Sequence, residues 1–184
     1  MTQIAQPAAF LDRDGTLVEE VNYLSRVEDL QIFPYTADAL RMLKQMGFLT
    51  IVVTNQSGIG RGIYTEDAMH GIHNAMKAEL GDLIDGFYFC PHLPDAGCSC
   101  RKPGIGMIEE AEISFSIDRA RSWMIGDKLL DLETGFKAGT HAALVKTGYG
   151  SKTAMEIGRQ PDVIADNLMA VVEHILAIAS ADAV

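Results

Sequence analysis

Cysteine is scarce in this chain and oddly placed. There are three, Cys90, Cys98 and Cys100, all within one short stretch. An odd, crowded set makes a poor disulfide framework, so these thiols are expected to stay reduced. Positive charge is also short: 15 Lys and Arg stand against 25 Asp and Glu, a formal net charge of −10. Such a chain is poorly suited to neutralising a phosphate backbone, and no nucleic-acid partner is expected. A small anionic substrate is not excluded, because local cations decide that. Long hydrophobic runs are missing: the longest, Leu168 to Ile178, is broken by Glu173 and His174. It falls short of the roughly 20 apolar residues that span a bilayer, and no membrane association is expected. The first residues, MTQIAQPAAF, carry no basic segment and meet Asp12 early, so no secretory signal and a cytoplasmic location are expected. Repeats and low-complexity linkers are absent. With 184 residues, one domain covering 1–184 is expected. No long apolar seam suggests an obligate partner, which points to a monomer.

Short apolar runs alternate with helical patterns. AAFL at 8–11, LTIVVT at 49–54, GFYFC at 86–90, SWMI at 122–125, AALV at 142–145 and DVIA at 162–165 read as strands. Between them, 36–46, 65–80 with Thr65 as N-cap, 107–115, about 128–138 and 168–178 read as helices. This alternation predicts an α/β fold with a parallel sheet covered on both faces. In such sheets ligands bind beyond the carboxyl ends of the strands.

Those ends carry chemistry. The first strand is followed by Asp12-Arg13-Asp14-Gly15-Thr16, and the second leads into Thr54-Asn55-Gln56-Ser57-Gly58. After the third comes a Cys/His loop ending in Arg101-Lys102, and after the fourth Gly126-Asp127-Lys128. Each has a plain structural alternative. Asp12-x-Asp14-Gly15 is an ordinary turn pattern, Asp127 suits an N-cap, Thr54 suits a strand end, and Lys102 suits a solvated surface. An EF-hand loop fits poorly, with Thr16 and Leu17 where an acidic residue and Gly belong. Four such coincidences at four successive strand ends favour a shared site. The chemistry it supports is phosphoryl transfer. Asp12 attacks phosphorus, Asp14 protonates the leaving oxygen and then activates water, and Thr54 and Lys102 hold the phosphoryl oxygens. Asp12, Asp127 and a backbone carbonyl near Asp14 suit Mg²⁺, which prefers oxygen ligands.

FLDRDGTL, TNQSGIGRG, CRKP and GDKLLD resemble the four motifs of the haloacid dehalogenase superfamily of aspartyl-phosphatases. Within it the chain resembles the D-glycero-D-manno-heptose 1,7-bisphosphate 7-phosphatases and their sister group, the histidinol-phosphate phosphatases. The resemblance runs from about Ala8 to Gly148. It implies a Rossmann-like three-layer domain without a large cap, with Asp12 as nucleophile and Asp14 as acid/base. Thr54 and Lys102 match residues that stabilise the phosphoryl group, and Asp127 matches a Mg²⁺ ligand. Arg101 and Lys128 match substrate-binding residues. Glu20, Asn22, Tyr23, Asn55, Gln56 and Ser57 fall in segments that line the substrate pocket.

The resemblance also makes Cys90, His92, Cys98 and Cys100 ligands of a structural Zn²⁺. Independently, Cys-x-His-x₅-Cys-x-Cys offers four N/S ligands, the number a closed tetrahedral site needs. Metal binding would order a loop whose Pro91, Pro94, Gly97 and Ser99 build no core, and would fix where Arg101 and Lys102 point. The alternative is three buried free cysteines beside an unrelated histidine. His70, His73, His141 and His174 lack such neighbours and read as surface or ordinary core residues.

The implied substrate is a small phosphorylated sugar, the heptose 1,7-bisphosphate, losing its 7-phosphate. Ser57, Arg61 and Lys128 suit a second phosphate, where an acidic residue would suit the amine of histidinol phosphate. The short five-residue spacing between His92 and Cys98 is like the histidinol type. A non-catalytic zinc-binding interaction module is the remaining alternative, though such a copy is expected to have lost one of its acidic motif residues.

Overall fold

A computed structural model of the chain describes residues 4–181. Six strands form one sheet in the order β3-β2-β1-β4-β5-β6, and every neighbouring pair is parallel. The strands are β1 (Ala8–Leu11), β2 (Leu49–Asn55), β3 (Gly86–Cys90), β4 (Trp123–Gly126), β5 (His141–Val145) and β6 (Val163–Ala165). The helices are α1 (Thr36–Gln45), α2 (Ser57–Gly60), α3 (Glu66–Leu80), α4 (Gly106–Ser114), α5 (Leu129–Ala138), α6 (Gly150–Glu156) and α7 (Leu168–Ala181).

The central strand explains the three layers. All four residues of β1 are buried. Successive side chains of a strand point to opposite faces. Ala9 and Leu11 join the cluster built by α1, α3 and α7, with Leu40, Met76 and Val172 among its members. Ala8 and Phe10 join the other, with Met107, Ile108 and Ala111 of α4. Leu132 of α5 packs on Ala142 and Leu144 of β5 on that second side. A strand buried on both faces must be apolar throughout, which is why AAFL reads as a continuous run and not an alternating one.

The expected strands and long helices are all present, with ends shifted by a residue or so except that α7 runs on to Ala181 where 178 was expected. β4 runs Trp123–Gly126 where 122–125 was expected, and α5 begins at Leu129 because extended Lys128 is its N-cap. Thr65 caps α3 as anticipated, its hydroxyl accepting from Ala68 N–H at 3.2 Å. Two short helices, α2 and α6, were not anticipated.

Strand order reverses direction at β1, which lies between β2 and β4. That is the switch point where an open α/β sheet leaves a crevice at its carboxyl edge. Segment 12–35, between β1 and α1, crosses this edge with one 3₁₀ turn at Val27–Asp29. Among the described residues no inserted cap domain stands over it. None of the described helices is long and apolar enough to cross a membrane.

Candidate active site

The switch point sets two carboxylates side by side. Asp12 leaves β1 with its N–H bonded to Ile125 O of β4 at 3.0 Å. Its Oδ1 accepts from its neighbour Arg13 N–H at 2.9 Å and pairs with Lys102 Nζ, also at 2.9 Å. Its Oδ2 faces Lys128 Nζ at 3.8 Å. Burial alone would raise this carboxyl; the Lys102 and Lys128 ammonium groups outweigh it and hold Asp12 below the ordinary aspartate range. Asp12 is therefore an anion at neutral pH although only 4% exposed.

Lys102 is held from every side. Besides Asp12, its ammonium meets Val53 O at 2.9 Å and Asp131 Oδ1 at 2.6 Å, so its three donors have three oxygen partners. Its backbone is stapled by Asn55, whose Oδ1 accepts from Lys102 N–H at 3.0 Å and whose Nδ2 donates to Lys102 O at 3.1 Å. Burial lowers Lys102; the Asp12 and Asp131 charges more than restore it, leaving its pKa raised.

Asp127 lies behind Asp12, fully buried. One of its oxygens, Oδ2, accepts from Tyr149 N–H at 2.7 Å. The other, Oδ1, has no hydrogen-bond partner and only Lys128 Nζ at 3.5 Å. Two glycines enclose this carboxylate. A Cβ on Gly15 would sit 2.4 Å, and one on Gly148 2.3 Å, from Asp127 Oδ2, and both residues have positive φ. Burial, then the Asp12 charge, pushes the Asp127 carboxyl up to about 7. Asp131 is raised too, chiefly by burial. Asp12, Asp127 and Asp131 can each turn an oxygen to within 4.8 Å of the others. Three buried carboxylates crowded around an unpaired oxygen fit a small hard cation such as Mg²⁺.

Asp14 takes a different partner. Arg13, with no solvent exposure, places Nε and Nη2 against both Asp14 oxygens at 2.9–3.2 Å. Gln56 binds this pair into the site: Oε1 accepts from Arg13 Nη2 at 3.0 Å, while Nε2 donates to Asp14 Oδ2 at 3.0 Å and to Thr54 Oγ1 at 2.8 Å. The Thr54 hydroxyl, accepting from Gln56, keeps its own proton free to donate. Tyr64 O–H also donates to Gln56 Oε1.

A cavity of about 200 Å³ opens over these groups. Asp12, Asp14 and Lys102 line it, as do the expected Asn55, Gln56 and Ser57 after β2. Glu20, Asn22 and Tyr23 form one wall, and Arg101 and Lys128 also line the cavity. Asn22 and Tyr23 both adopt positive φ, 49° and 69°, so this wall is a tight turn held by Asn22 N–H donating to Glu20 Oε1 at 2.9 Å. Glu20 Oε2 pairs with Lys128 Nζ at 3.1 Å. Thr54 and Asp127 lie beneath the cavity and do not line it. Tyr64, Tyr149 and Asp131 line it without having been anticipated.

Cys90, His92, Cys98 and Cys100 converge as the spacing implied. Sγ of Cys90 lies 3.6 Å from Cys98, 3.1 Å from Cys100 and 3.4 Å from His92 Nδ1, with His92 Nδ1 3.3 Å from Cys100. A tetrahedron with Zn–S of about 2.3 Å and Zn–N of about 2.0 Å has edges of roughly 3.5–3.8 Å, so four N/S donors at this spacing fit zinc. Burial first, then its thiol neighbours, pushes Cys90 up to about 12, so a cation is what would make it a thiolate. Arg101 Nη1 donates to His92 O at 3.1 Å, tying the cationic pair to this loop. Residues 91–100 do not line the cavity; the loop packs on the end of α2, where Gly60 N–H donates to Pro91 O at 3.0 Å.

Two family models match the chain: polynucleotide kinase 3 phosphatase over residues 7–134 and HAD-hydrolase-like over 99–171. A D-glycero-D-manno-heptose-1,7-bisphosphate 7-phosphatase of Thermosynechococcus vestitus is 39% identical, covering 92% of this chain and 95% of its own. The D-glycero-beta-D-manno-heptose-1,7-bisphosphate 7-phosphatase of Yersinia pestis is 43% identical over 80% of this chain and 84% of its own. Among solved structures, the D,D-heptose 1,7-bisphosphate phosphatase of B. bronchiseptica, complexed with magnesium and phosphate, superposes with a TM-score of 0.86 at 32% identity. It covers 94% of this chain and 99% of that one. With relatives this close over nearly its whole length, the chain belongs to the haloacid dehalogenase-like phosphatases, in the family of the heptose bisphosphate phosphatases.

Proposed function

We propose that the chain hydrolyses a phosphate monoester through a phosphorylated Asp12, and that its substrate is D-glycero-D-manno-heptose 1,7-bisphosphate, cleaved at the 7-phosphate. The observation that carries the reading is the buried, ionised Asp12 carboxylate flanked by Lys102 and Lys128 at the floor of the cavity. An anionic nucleophile must approach an anionic phosphate, and two fixed cations reduce that repulsion.

In the first step an Asp12 oxygen bonds to phosphorus while the ester P–O bond breaks. The leaving oxygen keeps the electron pair and takes a proton from Asp14. In the second, Asp14 as carboxylate takes a proton from water, whose oxygen bonds to phosphorus. The bond to Asp12 breaks and inorganic phosphate leaves. Thr54 O–H and Lys102 serve the phosphoryl oxygens. Asp12, Asp127 and the backbone carbonyl at Asp14 hold Mg²⁺, with Asp131 beside them. When bound, the metal supplies positive charge that screens nucleophile from phosphate. Cys90, His92, Cys98 and Cys100 hold a structural Zn²⁺.

The substrate assignment rests on relatives named for the heptose bisphosphate at 36–43% identity. Arg101 lines the cavity and suits its second phosphate, and Ser57 puts no carboxylate at its own position to receive a histidinol amine. The short zinc loop, which resembles the histidinol type, stays outside the cavity, so it weighs little on selectivity. The acidic chain does not favour a polynucleotide. All groups named come from one chain, and a monomer suffices. The test compares kcat/KM, with Mg²⁺ and without, for the heptose bisphosphate, histidinol phosphate and a hexose bisphosphate. The heptose ester should lead by at least about 10-fold, a difference of 1.4 kcal/mol in transition-state binding. Parity with, or preference for, histidinol phosphate would overturn the substrate assignment.

A further inference from the structure

His73 lies on α3, outside the cavity, and touches no group assigned to substrate. It is 3% exposed, with its ring stacked on Phe87 at 4.5 Å and edge-on to His70. Its Nε2 lies 3.3 Å from Arg13 Nη1. A guanidinium only donates, so Nε2 accepts and the ring is neutral with its proton on Nδ1. Arg13 has no access to solvent, and its other nitrogens are committed to Asp14 and Gln56. His73 is therefore the hydrogen-bond partner of the Arg13 edge that faces away from Asp14.

We propose that His73 is a positioning residue for proton transfer: by accepting from Arg13 Nη1 it fixes the rotation of the guanidinium, whose opposite edge aligns the Asp14 carboxylate. The physical basis is the geometry of the fork. Arg13 is planar and rigid, so anchoring one edge sets the direction of the other. A two-point contact with Asp14 transmits that direction, and Gln56 ties the same pair to Thr54. Removing the acceptor on His73 leaves a buried N–H without a partner, and the side chain turns to find one. Asp14 turns with it. This rests on Asp14 giving a proton to the leaving oxygen as the P–O bond breaks, and that dependence is what the test exploits. An alkoxide leaving group needs the proton, whereas a nitrophenolate leaves without it.

The experiment measures kcat and KM of wild type, H73L, H73F, H73Q and D14N on the sugar bisphosphate and on p-nitrophenyl phosphate. H73L and H73F lack the acceptor but keep apolar bulk against Phe87; two variants guard against one failing to fold, and melting temperature is followed for each. Gln offers an oxygen near the Nε2 position. The reading is kcat/KM, which runs only to departure of the leaving group and so omits the later water step that Asp14 also serves; it should fall about 10-fold or more on the sugar ester in H73L and H73F. The loss on p-nitrophenyl phosphate should stay under about 3-fold, and H73Q should recover most of the deficit. D14N should show the same selectivity more strongly. Equal losses on both esters in the His73 variants, or H73Q no better than H73L, would overturn the proposal alone if D14N still discriminates between them. Equal losses on both esters in D14N would remove the acid role of Asp14, and this proposal with it.

Discussion

Lys102 Nζ lies 2.9 Å from Asp12 Oδ1, although the two residues leave different strands that are not neighbours in the sheet. β1 delivers Asp12; the chain beyond β3 delivers Lys102, over the intervening β2. Lys102 also meets Asp131 at 2.6 Å, so one buried cation joins three segments.

Replacing Lys102 by Met should affect activity and folding together. Loss of the cation beside the nucleophile should lower kcat by about 10²–10³-fold. It also leaves Asp12 and Asp131 buried without their partner, costing about 3–5 kcal/mol of stability, read from a urea midpoint. Adding Asp131→Asn should recover part of the stability and none of the rate.

Asp127→Asn should separate metal binding from stability. The Mg²⁺ concentration giving half-maximal rate should rise at least about 10-fold. Without metal, the variant should be more stable than the parent above about pH 7. The folded carboxyl, pushed up to about 7 by burial and by Asp12, makes ionisation there unfavourable to folding. The cost is absent below the unfolded value of 3.8 and grows as pH rises towards 7. Thermal melts with and without Mg²⁺ across this range check it.

Zinc should be structural. Elemental analysis should find it in equimolar amount, and a chelator should lower the melting temperature before any Mg²⁺ dependence changes. Cys100→Ser should lower kcat/KM through Arg101 and Lys102, which follow it directly, with loss of zinc measured alongside.

His73 should shape the acid limb of stability. Burial, reinforced by the Arg13 charge, lowers its pKa to about 3 from the ordinary 6.5. Above 6.5 it is neutral in both folded and unfolded chains and contributes no pH dependence. Between 6.5 and about 3 the unfolded chain takes up a proton that the folded one refuses. Stability should fall there by up to about 1.4 kcal/mol per pH unit. His73→Gln should flatten that slope; an unchanged slope would mean another group sets it.

Much of this was legible in the chain. Apolar runs marked every strand, helical patterns separated all but the last two, and a parallel sheet then fixed which loops meet. Asp12, Asp14 and Lys128 reach one cavity because they lie just past strand ends, and Lys102 reaches it from the far end of the Cys/His loop, where Asn55 holds its backbone. Asp131 escaped notice because it sits inside the first turn of α5, where it caps the helix by accepting from Lys128 N–H at 2.9 Å; only the arrival of Lys102 at its other oxygen ties it to the site. Arg13 carries no signal of its own in the sequence. Its role depends on Gln56 and His73, which come from other segments. α2 was missed because Ser-Gly-Ile-Gly has poor helix propensity and is held by loop contacts instead.

The most direct measurement is to quench the enzyme in acid during turnover and locate phosphate on its peptides by mass spectrometry. A phosphoryl group on the peptide carrying Asp12, absent from Asp12→Asn together with turnover, is the predicted result. Turnover that survives in Asp12→Asn, or a phosphoryl group found on another residue, would contradict it.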